Sequence, residues 1–332
     1  MTPATVRPVT IARPADLAEE FERTLASAGV SIAPGSALEA MTLELYRITE
    51  DREKPFTPEA SRDVPVRYAK GLGLAELAGQ VIAVREHPSF PQLQHHLTLL
   101  NSARSPQNMR SALFDDAANK IFELLVACWL MQVATKVEVE QPGEPSANPD
   151  VLAWINGRLW GIACKTPYSG APDSLFENVK KGCEQLTRAG VATGVVYVNT
   201  RNLIDHERYW FRVPEGDTPD GAHAWSTFLN GQDAYNMLLR ETQEIWNGLA
   251  RERGEHVLRS LFKTHRTVLP GIAAWSQVSA GVMIDGTPRS SLVQVGAFSF
   301  VRKLAASQMR VLNAIKGAAS SSPPAKKPGG TA

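Results

Sequence analysis

The stretch "ANPDVLAWINGRLWGIACKTPYS" (147–169) holds the residues with the clearest chemical potential in the chain. Asp150 precedes one alternating apolar segment and Lys165 ends the next. The Asn156-Gly157 pair between them is a strong local signal for a two-residue type I′ hairpin. Such a turn pairs 155 with 158 and 154 with 159, so Asp150 falls opposite Ala163. Opposed side chains share a face with Cβ atoms about 5 Å apart. Lys165, two residues beyond 163, points the same way. Two carboxylates at that separation would hold a hard divalent cation. The cation would bind and polarise a phosphate and lower the pKa of an attacking water. The lysine would position that water or stabilise developing charge. Position 163, however, is alanine, which binds no metal.

The elements that position these residues read as an α/β arrangement. Ser111 can cap a long helix running to about Val133, and "KVEVE" (136–140) alternates as strands do. The hairpin follows, then an amphipathic helix, "SLFENVKKGCEQLTRAG", with Phe176, Val179, Cys183 and Leu186 on one face, then a buried strand, "TGVVYVN". The order is helix, strand, two-stranded hairpin, helix, strand. Before it, residues 15 to about 105 read as helices, with a loop near "TEDREKPFTPEASRD". After it, 222–266 reads as helical, "GIAAWSQVSAGVMIDG" and "SSLVQVGAFSF" as strands, and "VRKLAASQMRVLNAIK" as a basic amphipathic helix. Trp129, Trp154 and Trp160 are assigned to the core, and His95–His96 to a polar helix surface.

Composition narrows the class. The chain is 43% hydrophobic and 21% charged, ordinary for a globular protein. Its longest apolar run, "LLVACWLM" (124–131), is far short of the roughly 20 residues that cross a bilayer. No secretory leader is evident, and Cys128, Cys164 and Cys183 lack metal-site spacing, so reduced thiols and a cytoplasmic location are expected, with no membrane partner. The net charge is +1, yet the 47 residues after Asp285 contain no acid and carry seven Arg or Lys. Blocks of one sign often face polyanions.

"NPDV…GIACK" resembles the signature of the PD-(D/E)xK nuclease superfamily. Pro149-Asp150 matches its first half, and Ala163-Cys164-Lys165 occupies the (D/E)xK slot. The resemblance covers roughly residues 110 to 200 and implies a restriction-endonuclease-like core with the element order read above. It implies that Asp150 is a metal ligand, Lys165 the catalytic lysine, and the Cys164 backbone carbonyl a further ligand. Glu123, the only charge in "IFELLVACWLM", matches the acid many members contribute from the preceding helix. Such a carboxylate needs a partner or a metal. The expected division is a flexible N-terminus (1–14), a helical region for dimerisation or specificity (15–108), the nuclease-like core (109–212), a mixed α/β extension of that core (213–317), and a disordered tail (318–332).

Ala163 has three explanations: a deliberate inactivating substitution, an acid relocated to the following helix at Glu177 or Glu184, or a binding module that has lost catalysis. Lys181, Arg201, Arg259, Lys263 and Arg266 are candidate phosphate contacts. Asn199, Asp205 and His206 follow the last core strand, His206 as a loop or capping residue. The expected activity is Mg²⁺- or Mn²⁺-dependent hydrolysis of phosphodiesters, in DNA rather than RNA, weak or absent with Ala163. A homodimer is expected, and restriction, repair or anti-phage defence is the expected setting. The alternative is a non-catalytic nucleic-acid-binding or assembly subunit of the same fold.

Overall fold

The computed structural model describes residues 14–51, 64–111, 115–140, 149–210, 229–284 and 287–320. The expected flexible N-terminus, the loop after residue 51, the start of the helical stretch at 222 and the end of the tail lie largely or wholly outside these residues. The protein is α/β, built on a mixed, open seven-stranded sheet. Three helices lead: α1 (Pro14–Ser27), α2 (Ala37–Asp51) and α3 (Val64–Ala83). The one-turn α4 (Gln94–Thr98) precedes α5 (Asp116–Met131). The sheet then begins with β1 (Lys136–Val139), β2 (Val151–Ile155) and β3 (Arg158–Lys165). Helix α6 (Pro172–Arg188) connects to β4 (Thr193–Asn199). The short β5 (Leu229–Asn230), α7 (Gly231–Arg253) and α8 (Glu255–Thr264) follow. The long pair β6 (Val268–Ile284) and β7 (Thr287–Phe300), then α9 (Ala306–Ala319), complete the described elements.

Strands lie in the order β1-β2-β3-β4-β6-β5, with β7 on the other side of β6. The first three are antiparallel neighbours; β3, β4 and β6 run parallel. Parallel strands need crossover helices, and α6 supplies the one between β3 and β4. Both sheet faces are therefore covered. This explains why β4 is buried at every residue instead of alternating. One face packs on α1–α3, α5 and α9 in a single apolar cluster that includes Phe21, Leu74, Trp129, Trp275 and Leu312. The helical N-terminal region is thus part of the same core as the sheet. The other face packs on α6, α7 and α8 through Val179, Leu186, Trp246 and Phe262.

The turn reads as the sequence indicates. Asn156 and Gly157 have φ of 52° and 72°, the paired positive values of a type I′ turn. Ile155 pairs with Arg158 and Val151 with Ile162, so the next rung sets Asp150 opposite Ala163. Some boundaries differ from the sequence reading. The α5 N-cap is Asp115, whose side chain accepts from the Ala118 N–H, and not Ser111; Ser111 instead bonds Asn202. Trp154 is only half-buried, with the Lys136 ammonium 4.6 Å from its ring centroid, because it points away from the α5 face that Trp160 fills.

A Cβ on Gly157 would meet nothing within 4 Å, so substitution there tests backbone strain alone. Gly157→Ala is expected to destabilise the protein by about 1–2 kcal/mol in urea denaturation, from placing an L side chain at positive φ. An unchanged unfolding midpoint would contradict the turn assignment.

Candidate active site at the end of the first hairpin

Asp150 begins β2 just where the backbone ladder with β3 would lose a partner, and its side chain completes it. Asp150 Oδ2 accepts from the Cys164 N–H at 2.6 Å. The Lys165 ammonium lies 3.4 Å from the same oxygen and donates to Gln185 Oε1 at 2.9 Å. Gln185 Nε2 in turn donates to Asp150 Oδ1 at 3.2 Å. The three side chains form a closed ring between the sheet and α6, and Asp150 is only 6% exposed.

A second group of charges adjoins this ring. Glu123 on α5, also 6% exposed, accepts from Lys120 Nζ at 2.8 Å and lies 3.4 Å from His96 Nε2. Lys120 also reaches Glu140 at 3.6 Å. Glu140 follows β1, and its N–H donates to the Asp150 carbonyl, placing it on the rung opposite Asp150. The acid in the apolar helix therefore does have partners. His96 is fully buried against it, which corrects its assignment to a polar surface.

Burial is the main influence on Asp150 and pushes its carboxyl above the usual carboxylate range; Glu123 adds to the push, while Lys165, the Cys164 N–H and Gln185 oppose it. Glu140 is raised for similar reasons, by burial first and then by Asp150. Burial pulls Lys120 down, but Glu123, Asp150 and Glu140 outweigh it and leave its ammonium raised. Three carboxylates here face two lysines. Carboxylate oxygens with charge left over suit a hard divalent cation in donor type and sign, and Mg²⁺ takes one or two carboxylates with water completing its shell. Asp150 and Glu123, with the Cys164 carbonyl, are the groups that would hold it. Among the described residues, no three His, Cys, Asp or Glu side chains converge at ligand spacing.

Ala163 is fully buried and packs against α6, not toward open space. A Cβ on Gly182 would lie 3.4 Å from Ala163 Cβ and 3.0–3.1 Å from the Val196 methyls. The helix descends onto the sheet at this point because both positions are small. The two candidates for a relocated acid are not brought to the ring: Glu177 is exposed and 4.0 Å from Lys180, and Glu184 is half-buried beside Cys183. The inward polar residue is their neighbour Gln185, which the sequence reading missed. Its signal was a polar residue between Cys183 and Leu186 on the apolar side of α6.

The basic candidates separate. Lys181, Arg259, Lys263 and Arg266 are exposed, Arg259 paired with Glu255 at 2.9 Å. Helix α8 leads into the start of β6, at the opposite end of the parallel strands from Lys165. Arg201 is 0% exposed, so the expected surface phosphate contact is instead an interior group. It follows β4, whose Asn199 side chain bonds Gln107. His206 opens a short 3₁₀ turn capped by Asp205 and bonds the Arg201 carbonyl, in keeping with a structural loop role.

Comparison with protein-family models, characterised proteins and solved structures finds no match to this chain.

A carboxyl raised in the folded state keeps its proton longer than in the unfolded chain. Its stabilising contribution is therefore complete below the ordinary carboxylate pKa, about 4, and lost as pH rises through the higher folded value. Asp150→Asn is expected to flatten the decline in melting temperature from pH 4 upward, measured by a thermal-melt series. An identical pH profile in the variant would mean that Asp150 is not the raised group.

Proposed function

We propose that this chain carries a PD-(D/E)xK-type site on a restriction-endonuclease-like core, arranged for Mg²⁺- or Mn²⁺-dependent hydrolysis of phosphodiesters, in DNA rather than RNA. One observation carries the reading: a buried carboxylate just before β2 and a half-buried lysine at the end of β3 meet at 3.4 Å, with a helix-borne acid in electrostatic reach. In this reading Lys165, held by Asp150 and Gln185, aims its ammonium at a non-bridging phosphate oxygen or at the attacking water. Asp150 and Glu123 supply oxygen ligands, and His96 and Lys120 hold Glu123 until the site is loaded. A bound divalent cation would supply Lewis-acid polarisation of the phosphate and a more acidic water. With Ala163 in the (D/E)xK slot, one ligand is lacking and hydrolysis is weak or absent. A homodimer, if formed, would use outward faces of the N-terminal helices, since their inner faces are spent on the core.

The second reading, a non-catalytic nucleic-acid-binding or assembly subunit, is favoured by the close contact of Gly182 over Ala163. A helix seated this tightly suits a sheet whose small residue at 163 is native to it.

The test compares the chain with Ala163→Glu and with Ala163→Glu/Lys165→Ala on supercoiled plasmid in Mg²⁺ and in Mn²⁺. The nuclease reading expects nicking by Ala163→Glu at least tenfold above the parent chain, abolished in the double variant. Because a glutamate under α6 can impair folding, Mn²⁺ titration calorimetry on the parent chain and Asp150→Asn accompanies it. Mn²⁺ binding that depends on Asp150 supports the reading. A folded Ala163→Glu that never cuts, with no Asp150-dependent Mn²⁺ binding, would overturn it. DNA retention without metal would then favour the binding subunit.

A further inference from the structure

Beyond the Asp150–Lys165 ring, the same end of the sheet holds a second cluster that the proposed hydrolysis does not use. Arg201 lies two residues past β4 and is 0% exposed, yet Nε, Nη1 and Nη2 all lack an aligned hydrogen-bond acceptor. Asp115 and the Tyr168 hydroxyl oppose the burial of its charge electrostatically, and the hydroxyl lies within hydrogen-bonding reach without good alignment. Neither meets the guanidinium with an aligned hydrogen bond. Asp115 Oδ1 caps α5 at the Ala118 N–H, at 3.0 Å, and the Tyr168 hydroxyl is shared with Asn119 at 3.2 Å. Asp115 Oδ2 is also buried and without a partner. His206 Nε2 donates to the Arg201 carbonyl at 2.6 Å, which leaves its buried Nδ1 a lone pair without a donor.

An arginine sealed in the interior without an aligned acceptor is unfavourable, and each such group needs an ion, a water or a function to account for it. The surroundings say what kind of ligand fits. A guanidinium presents its N–H groups as a planar fork that matches two oxygens of a tetrahedral oxyanion. The N-terminal end of α5 adds a positive field at Asp115. The unpartnered Asp115 Oδ2 and His206 Nδ1 are acceptors, which a ligand bearing a P–OH can satisfy. The position, at the carboxyl ends of the parallel strands β3 and β4, is where open α/β sheets bind ligands.

We infer that Arg201 is the receptor of a buried phosphate-group site, formed with Asp115 and His206 and closed over by Tyr168. The half-buried Tyr168 lies in the loop after β3, beside the exposed Ser169 and Gly170, so its displacement opens the route to Arg201. Asp115, Asn119 and Glu123 fall on one stripe of α5 at four-residue spacing. Asp115 is therefore offset from Glu123, at the edge of the first site, by roughly 12 Å along the helix. The site stands whether or not the chain hydrolyses phosphodiesters.

The experiment uses the full chain with arginine Nε labelled for NMR, titrated with inorganic phosphate, sulfate or chloride, alongside Arg201→Lys, Arg201→Met and Lys165→Ala. Phosphate, which can carry a P–OH, but not sulfate or chloride, should shift one protected Nε–H resonance saturably, and that resonance should be missing in Arg201→Lys. Phosphate should also raise the melting temperature of the parent and of Lys165→Ala, with at least a tenfold weaker effect in Arg201→Met. If Arg201→Met does not fold, the titration of the parent chain decides alone. Competition by a short single-stranded oligonucleotide would identify the phosphate as one of nucleic acid; its failure to compete would identify a small phosphorylated ligand. No saturable shift, or equal phosphate stabilisation in Arg201→Met, would overturn the inference. A phosphate effect lost in Lys165→Ala but kept in Arg201→Met would place the anion at the first site, sinking this inference while supporting the hydrolase reading.

Discussion

The two-residue turn at Asn156-Gly157 is the constraint from which the rest of the site follows. Both residues must take positive φ, and that geometry matches the twist of the flanking strands so well that no other register competes. Once Ile155 faces Arg158, every later pairing along the hairpin is set, including the meeting of Asp150 with Ala163 and the backbone of Cys164. Asp150 then does more than face its neighbour. By accepting the Cys164 N–H it replaces the ladder bond that β2 can no longer provide, so the carboxylate is structural as well as chemically poised. A one-residue slip would turn Asp150 and Lys165 to the opposite face and dissolve the ring with Gln185.

The balance of charge around that ring is the second organising fact. Three acids from three elements, Glu123 on α5, Glu140 after β1 and Asp150 before β2, share two lysines in a largely buried setting. Burial and repulsion from neighbouring acids both disfavour the ionised forms of Glu140 and Asp150, and Lys120 and Lys165 offset that only in part. A fold that assembles like charges at a sheet end carries a cost, and such costs concentrate where a site binds something of opposite sign. His96, Lys120 and Gln185 hold the acids and the lysine in place.

The contact between Gly182 and Ala163 sets how that site can be read. Helix α6 crosses the sheet where a glycine meets an alanine, and the approach brings Leu186 down onto Gly161 and Gly194 as well. These small residues let the helix lie low enough for Gln185 to reach both Asp150 and Lys165. A larger group at 163 would have to thread between helix and strand. The alanine at 163 and the well-seated helix are thus one packing solution.

Much of this was legible in the linear chain because it depends on local rules. The turn chemistry of Asn-Gly, the alternation of "VLAWI", the unbroken apolar run of "TGVVYVN" and the face of α6 are set by neighbours a few residues apart, and the structure reproduces each. The convergence of Asp150 with Lys165 followed from the turn alone. What the sequence could not determine depends on long-range packing. Glu140 reaches the rung opposite Asp150 across a connection too long for local turn chemistry to set a register, so its pairing was not readable. Gln185 and His96 are polar residues that only the seating of α6 and α4 directs inward. Arg201 reads as a surface cation in any local window, because basic residues in loops are usually solvated. Only tertiary packing makes it an interior charge. Burial of a polar group is a property of the whole fold, and no local spacing of residues encodes it.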